Sequence, residues 1–252
     1  MYGNLKEMTT EAGSSPSPAR SRGRGFLTFL RDVIVIVVVA VLVSVLIKSF
    51  VVRSFYIPSE SMENTLLVDD KILVDELTPK FGGYHRGDVI VFKDPGGWLD
   101  GASAPAPTGI AGAIDWALSA VGISASDSDE HLVKRLIGMP GDHITCCNEL
   151  GQLVINGAGI DESDYLRLPD GSSLASKIDF DVVVPEGTVW VMGDNRNNSR
   201  DSRYHNGQPG GGFVPIEDIV GRVALRTWPL STFGPLENET SAFRGVPDAT
   251  SE

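Results

Sequence analysis

The stretch that decides the fold is His131–Ile137, with the sequence HLVKRLI. Its length and composition are typical of a β-strand, and the period of two places Lys134 on the same face as Leu132 and Leu136. An exposed lysine has a pKa of about 10.4, but apolar surroundings disfavour the charged amine and lower that pKa. The stretch therefore predicts a strand whose amine could act as a base. The simpler alternative is a lysine that reaches solvent at a sheet edge.

Strand-length runs of similar composition lie on both sides of this stretch. Each is bounded by Gly, Pro, Asn or Asp, and a strong helical period is missing from this part of the sequence. We therefore expect a mainly β fold for residues 53–236. The other predicted strands are Lys71–Val74, Gly87–Phe92, Leu153–Ile155, Asp181–Val184, Thr188–Met192, Val214–Ile219 and Gly221–Leu225.

Three segments differ from the β domain in composition. Residues 95–129 are rich in Gly, Ala, Ser, Pro and Asp, which predicts a flexible insertion. Residues 237–252 are expected to form a disordered tail. Residues 1–32 are basic and begin with a stretch rich in Ser, Pro, Gly and Arg, which predicts a disordered tail at the other end.

The apolar run Val33–Val52 predicts a transmembrane anchor. It has 20 residues, which matches the ~20 that a helix needs to cross the hydrocarbon core, and Lys48 near its end can snorkel to the interface. A cleavable signal peptide is the alternative, but the run is long for one and no small-x-small site follows it. Four arginines precede the run, against Lys48 and Arg53 at its other end. The positive-inside rule then places the N-terminus in the cytoplasm and residues 54–252 outside.

The 252-residue chain has a formal net charge of −12 that is unevenly distributed. Residues 1–47 carry five basic and three acidic side chains, a net of +2, so the remainder carries −14. An acidic main domain argues against a nucleic-acid partner, because binding phosphates requires a basic face.

The two cysteines, Cys146 and Cys147, are adjacent, which excludes a disulfide-rich scaffold and a C-x-x-C site. We favour two small buried side chains over a strained vicinal disulfide.

The segment Ile57–Leu66, IPSESMENTL, follows the apolar run and offers two hydroxyls, Ser59 and Ser61. A serine becomes a useful nucleophile only when a base takes its proton and fixed donors receive the developing oxyanion. Without those parts the segment is a turn or a helix cap. A Ser-His-Asp triad stays open, although no histidine lies in a setting that suggests a partner for Ser61; the four are His85, His131, His143 and His205.

The loop Gly193–Arg203, GDNRNNSRDSR, directly follows an apolar strand. It combines Asp194 and Asp201 with three arginines and several hydroxyls. This composition predicts an ion-paired platform that either supports the domain or contacts the chemistry directly. The sequence lacks H-E-x-x-H, metal-spaced Cys/His clusters, an EF-hand, a P-loop and G-x-G-x-x-G, so we expect neither a metal nor an organic cofactor.

Four blocks, in this order behind an N-terminal anchor, resemble bacterial type I signal peptidases, the membrane-anchored serine endopeptidases that remove signal peptides from exported proteins. The blocks are Pro58–Met62 with Thr65 and Leu66, Arg86–Phe92, Lys134–Asp142, and Gly193–Arg203. The resemblance implies a mostly antiparallel β domain with a hydrophobic face near the lipid bilayer, in the plasma membrane of a bacterium. The chain departs from the usual family pattern at Asn64, where the family has a proline.

Carried onto this sequence, the resemblance implies that Ser61 is the nucleophile and Lys134 the general base. The oxyanion hole would combine the Ser61 backbone N–H with the Ser59 hydroxyl. Ser199 would orient the Lys134 amine through a hydrogen bond. An ion pair between Asp201 and Arg203 would brace the loop.

The implied partners are the signal peptides of exported preproteins, cut after small residues of the Ala-x-Ala type. We expect the substrate to bind in extended form along strand edges. The expected substrate-binding residues are Ile57, Pro58, Met62 and Leu136. Two alternatives remain: an inactive, membrane-tethered β domain that binds exported peptides, and a self-cleaving repressor with a Ser-Lys pair. The anchor and the acidic charge oppose the second.

Overall fold

The structure is a computed structural model that describes residues 22–50, 52–99, 109, 130–169 and 171–249. It divides into two compact units, Met1–Val43 and Ser44–Glu252. The first contains most of a long helix, α1, which covers Arg22–Phe50. Within α1, Gly25–Ser44 is long and apolar enough to cross a membrane, and none of it is buried inside the protein.

The helix does not follow the predicted boundaries of the anchor. It begins at Arg22, so that residues 22–32, predicted to be disordered, are helical. Val52, predicted as the last residue of the anchor, begins the first β-strand. Apolarity alone does not mark this boundary, because Val52 is as apolar as the residues of the run although it already belongs to the strand. Residues 1–21 lie outside the described residues.

The second unit contains two antiparallel sheets, which confirms the mainly β fold. Its strands are β1 (Val52–Tyr56), β2 (Lys71–Asp75), β3 (Val89–Lys93), β4 (His131–Gly138), β5 (His143–Cys146), β6 (Leu153–Ile155), β7 (Ala158–Gly159), β8 (Phe180–Val183), β9 (Thr188–Met192), β10 (Val214–Pro215), β11 (Ile219–Trp228) and β12 (Gly234–Pro235). Two short helices, α2 (Thr78–Gly82) and α3 (Ser202–His205), lie between strands.

The larger sheet has eight strands in the order β1-β2-β11-β3-β4-β9-β10, with β12 paired to β11. The smaller sheet has four strands in the order β7-β6-β5-β8. Three apolar clusters pack against these sheets. Fully burying one large apolar side chain contributes about 1.5–3 kcal/mol, so these clusters supply the main stabilisation of the unit.

The C-terminal segment is ordered as far as it is described, so the prediction of a disordered tail from residue 237 is wrong for residues 237–249. A short 3₁₀ helix covers Thr240–Phe243. Phe243 is buried in the cluster that also contains Trp190. The Asn156 side chain donates to the Pro247 carbonyl at 2.9 Å. A single aromatic anchor within a polar segment gives no periodic signal, which is why the composition was misleading.

Two further expectations concern the insertion and the cysteines. Pro95–Leu99, the first residues of the predicted flexible insertion, form an ordered turn that contains a buried tryptophan, Trp98. The rest of the insertion lies outside the described residues, apart from Gly109. Cys146 and Cys147 are joined by a disulfide and are only partly buried, so the favoured alternative of two buried free thiols is wrong.

Candidate active site

Ser61 lies in the loop that joins β1 to β2. Backbone hydrogen bonds from Ile57 N to Asp70 O (2.9 Å) and from Asp69 N to Ile57 O (3.0 Å) close the base of this loop. Ser61 belongs to a short 3₁₀ helix, Glu60–Met62, and is itself buried. The apolar side chain of Met62 is buried beside it and anchors the turn in the core. The hydroxyl is therefore presented from a fixed backbone.

Lys134 reaches this hydroxyl from the neighbouring part of the sheet. Its Nζ donates to Ser61 Oγ at 2.7 Å and to the Val133 carbonyl at 3.0 Å. Ser61 is 7% exposed and Lys134 is 4% exposed. The two side chains thus form a buried hydrogen-bonded pair between residues 73 positions apart in sequence.

The surroundings of Lys134 favour the neutral amine. Burial lowers the pKa of Lys134 from 10.5 to about 8. The carboxylates of Asp201 and Asp194 act in the opposite direction and raise the pKa, while Arg203 lowers it. With a pKa of about 8, roughly one amine in ten is neutral at pH 7, so that the group can take a proton from a neighbouring hydroxyl.

Ser59 lies beside the nucleophile candidate, at the exposed side of the turn. Its Oγ is 3.4 Å from Ser61 Oγ. A hydroxyl at this distance can donate to an oxyanion that forms where Ser61 attacks a carbonyl carbon. Pro58, which precedes Ser59, fixes the backbone at this point because its ring restricts φ.

The loop Gly193–Arg203 is held by buried ion pairs, the first of which joins Asp194 to Arg135 on β4. Both side chains are fully buried. Arg135 Nε donates to Asp194 Oδ1 at 2.8 Å and Nη2 to Oδ2 at 2.7 Å. Thr65 Oγ1 donates to the same carboxylate at 2.5 Å. The pair therefore connects the loop, β4 and the end of the Ser61 turn.

The second buried pair joins Asp201 to Arg203 within the loop. Arg203 Nε and Nη2 both donate to the Asp201 carboxylate at 2.8 Å. Gly193 N also donates to it, at 2.9 Å. Burial raises the pKa of Asp201, but the hydrogen bonds and charge of Arg203 outweigh that effect, so the pKa is lowered. Gly193 itself passes so close to the Ser61 turn that a Cβ at this position would lie 2.5 Å from Ser61 O.

Ser199 lies in the loop and is buried, but its expected hydrogen bond to Lys134 is not formed in the described part of the chain. Lys134 donates instead to Ser61 and to the Val133 carbonyl. The second acceptor therefore belongs to the strand backbone and not to the loop. Ser199 therefore stays a candidate for orienting the amine rather than an observed partner.

A third buried pair was missed by the sequence analysis. Both Nη atoms of Arg196 donate to the Glu162 carboxylate, at 2.9 and 2.5 Å. Tyr165 donates to Glu162 at 2.5 Å, and its ring lies 4.0 Å from the guanidinium carbon of Arg135. Glu162 lies in the polar run DESDY, which has the composition of an ordinary surface loop. No local signal distinguishes it, because its partner is 34 residues away.

The same segment also holds the Ser61 turn from outside. Arg167 Nη1 pairs with Glu63 at 2.6 Å, and Arg167 N donates to the Asp194 carbonyl at 2.9 Å. Asn64 Nδ2 donates to the Tyr165 carbonyl at 3.3 Å. Asn64 has a φ of +93°, a left-handed conformation that proline cannot adopt. The turn therefore differs locally from one built on the usual family proline.

An apolar pocket of about 120 Å³ opens beside Ser61 and Lys134. Its lining comes from Phe55–Ser59, Ser61 and Met62, from His131–Lys134, and from Leu99. The expected residues Ile57, Pro58 and Met62 line this pocket. Leu136 does not: it pairs with Val191 on β9 and is buried in a different cluster, so its assignment to the pocket wall is wrong.

The part of β4 next to the pocket has one open edge. On one side, β3 pairs with residues from His131 to Arg135. On the other side, β9 pairs with β4 only from Arg135 onward, within the described residues. The edge of His131–Lys134 is therefore available to an extended peptide, with the Ser61 hydroxyl at one end.

Among the described residues, no group of three or more His, Cys, Asp or Glu side chains could hold a metal ion. The carboxylates nearest to Lys134, those of Asp194 and Asp201, are each occupied by an arginine. The polar side chains that line the pocket are those of Tyr56, Ser59, Ser61, His131 and Lys134.

The chain is similar to several known proteins. A model of the family described as signal peptidase, peptidase S26, matches residues 30–228. The probable signal peptidase I of Mycobacterium leprae is 34% identical over 93% of this chain and 86% of that protein. Signal peptidase I of Mycobacterium tuberculosis is 39% identical over 81% of this chain and 74% of that protein. The crystal structure of a signal peptidase I from Enterococcus faecalis V583 covers 55% of this chain and 95% of its own, with 27% identity and a TM-score of 0.34. The chain therefore belongs to the signal peptidases of peptidase family S26 and is a serine peptidase.

Proposed function

We propose that this protein is a membrane-anchored endopeptidase that cleaves the signal peptides of exported preproteins with a Ser-Lys dyad. The observation that carries the proposal is the buried 2.7 Å hydrogen bond between Lys134 Nζ and Ser61 Oγ. A surface lysine that meets a serine by chance would remain charged in water. Here burial lowers the pKa of Lys134 to about 8 and makes the amine usable as a base.

The proposed reaction is acyl transfer. Neutral Lys134 takes the Ser61 proton, and Ser61 Oγ attacks the scissile carbonyl carbon. The Ser59 hydroxyl and the Ser61 backbone N–H donate to the resulting oxyanion. The Lys134 ammonium then gives its proton to the leaving amine. A water molecule, deprotonated by the same lysine, then attacks the acyl ester, and the Lys134 ammonium gives that proton to the leaving Ser61 Oγ.

Substrate specificity for small residues is supported by the size of the pocket. Its volume of about 120 Å³ suits side chains such as that of alanine and leaves little room for aromatic residues. An extended peptide on the open edge of His131–Lys134 would turn alternate side chains toward this pocket. The residues one and three positions before the cut would then both be restricted, as in an Ala-x-Ala sequence.

The proposed topology is a single membrane span with the N-terminus in the cytoplasm. The span lies within Gly25–Ser44, which is apolar and has no interior contacts in the described structure. Arginines on the N-terminal side favour the cytoplasmic orientation of that end. The β domain would then lie outside the plasma membrane, next to the lipid bilayer, where exported preproteins emerge. An acidic domain of this kind is not suited to nucleic acid.

The test is cleavage of a preprotein with an Ala-x-Ala site by the detergent-solubilised full chain. We expect Ser61→Ala, Lys134→Ala and Lys134→Arg each to lower the rate by about 10⁴-fold or more, since each removes an essential part of one unit. Arginine fails because its guanidinium stays charged. Lys80→Arg, at an exposed lysine of α2, is the matched control and should keep full activity.

The new N-terminus is identified by mass spectrometry, and folding of each variant is checked by circular dichroism. A cut after the small residue that disappears in the dyad variants would support the proposal. Cleavage by any dyad variant at the wild-type rate would refute the assignment. Binding of the preprotein without cleavage by a folded wild-type chain would indicate the inactive peptide-binding domain instead.

A further inference from the structure

The turn that follows β3 has a well-defined structure of its own. The Asp94 carboxylate accepts hydrogen bonds from the backbone N–H groups of Gly96 (2.9 Å), Trp98 (2.9 Å) and Leu99 (3.2 Å). Burial raises the pKa of Asp94, but these backbone donors outweigh it and the pKa is lowered. Asp94 N donates to the Glu130 carbonyl at 3.2 Å, which ties the turn to the start of β4.

Trp98 anchors this turn in the protein interior. It is 6% exposed, and its ring stacks on His205 with a centroid distance of 4.4 Å and an interplanar angle of 7°. It also makes a T-shaped contact with Phe92 of β3, with the two ring centroids 5.8 Å apart. The hydrogen bonds to Asp94 and the ring contacts of Trp98 together fix the position of the next residue, Leu99.

Leu99 contributes a wall to the apolar pocket of the candidate site. The other lining residues belong to Phe55–Met62 or to His131–Lys134. The turn that carries Leu99 begins directly after Lys93, and Lys93 pairs with His131 at the end of that edge away from Lys134. The dyad lies at the opposite end, at Lys134.

We propose that Leu99 limits the size of the side chain that the pocket accepts at the third residue before the cut. This inference rests on the proposed function. A strand advances ~3.3 Å per residue, so His131 and Lys134 are about 10 Å apart along the edge. With the residue before the cut at Ser61, the third residue before it lies about 7 Å further along the edge. That position is next to Leu132, on the side of the pocket that Leu99 closes.

The chemistry of this wall predicts the direction of the change. Leu99→Ala removes three carbon atoms and opens space for a leucine side chain of the substrate. Leu99→Trp fills the same space and leaves room only for a small residue. Each change of apolar volume alters the ratio of rates for two substrates by about tenfold or more. The residue directly before the cut, which lies beside the dyad, should be unaffected.

The experiment measures kcat/KM for two series of preprotein peptides with the full chain in detergent. One series carries Ala, Val, Leu or Phe at the third residue before the cut, and the other carries them directly before the cut. Leu99→Ala should raise the Leu-to-Ala ratio in the first series about tenfold. Leu99→Trp should lower the Val-to-Ala ratio about tenfold. Leu150→Ala, at a leucine that is 72% exposed, is the matched control and should leave both series unchanged.

The inference is overturned if both Leu99 variants keep the wild-type profile in the first series, or if the change appears in the second series instead. These outcomes are separate from a failure of the proposed function. Loss of cleavage in Ser61→Ala tests the dyad with the same peptides, whatever the profile of the Leu99 variants. An inactive wild-type chain would refute both.

Discussion

The two regions on either side of Lys134 differ in chemical character: one is apolar and the other is charged. On one side lies the pocket, with apolar walls from Phe55, Ile57 and Met62. On the other side lies the loop Gly193–Arg203, which contains charged side chains that are almost completely buried. Burial lowers the pKa of Lys134, whereas the carboxylates of the loop raise it. The value of about 8 is the balance between the two regions.

This difference explains why the carboxylates near Lys134 are paired. An unpaired carboxylate at Asp201 or Asp194 would hold the amine in its charged form, because opposite charges in a buried site attract strongly. Arg203 pairs with Asp201 and Arg135 pairs with Asp194, and the positive charge of Arg203 lowers the pKa of Lys134. The loop can then fix the geometry of the site while the pKa of Lys134 stays near 8, so that part of the amine is neutral at pH 7.

The largest effect on this comparison is expected from Arg203→Leu, which leaves the Asp201 carboxylate buried without its counter-charge. We expect the free energy of unfolding of the full chain to fall by about 3–5 kcal/mol. The measurement is urea unfolding in detergent, followed by tryptophan fluorescence. The double variant Asp201→Asn/Arg203→Leu should recover at least half of the loss. If the single and double variants are equally stable, the pair does not stabilise the loop in this way.

A smaller loss of stability is expected from changes at Asn64, in the turn that carries Ser61. Asn64 has a φ of +93°, a left-handed conformation that asparagine adopts more readily than alanine, so Asn64→Ala, which also loses the bond to Tyr165, should destabilise the protein by about 1–2 kcal/mol. Asn64→Gly tolerates this φ and loses only the bond to Tyr165. Thermal unfolding of both variants separates the two contributions. Equal losses for Ala and Gly would assign the whole effect to the side-chain bond.

The smallest effect concerns the pH dependence of cleavage. Because the neutral amine is the active form, kcat/KM should rise about tenfold per pH unit below the pKa of Lys134 and reach half its maximum near pH 8. The charge of Asp201 raises the pKa of Lys134 by more than the charge of Arg203 lowers it. The double variant Asp201→Asn/Arg203→Leu should therefore reach half-maximal activity at a lower pH, by less than one unit. An unchanged or higher midpoint between pH 6 and pH 10 would contradict this balance.

The sequence predicts the strands better than the ends of the fold. Apolar runs bounded by turn residues give most strands of the larger sheet, because a strand that packs against a core has to be apolar along its length. The strands Val52–Tyr56, His143–Cys146, Ala158–Gly159 and Gly234–Pro235 were not predicted. The first begins within the run predicted as the anchor, and the other three have four residues or fewer, too short for a clear periodic signal.

The candidate site divides in a similar way. Ser61, Lys134, Asp201 and Arg203 were identified from short motifs, and the structure brings them together. Glu162, Tyr165 and Leu99 were missed because they lie in segments whose local composition is that of ordinary loops. Leu136 was assigned to the pocket from its position on β4, but β9 covers that part of the strand.

By itself, the sequence determined the mainly β fold, the apolar N-terminal run and the residues that resemble a Ser-Lys site. These properties are local, since periodicity and short motifs depend on neighbours along the chain. Only the tertiary structure decided which residues meet. The order β3-β4-β9 leaves the edge of His131–Lys134 unpaired, and the loop between β1 and β2 brings Ser61 to Lys134. Contacts between residues 73 or 34 positions apart follow from this strand order, because local patterns specify the faces of a strand but not its neighbours.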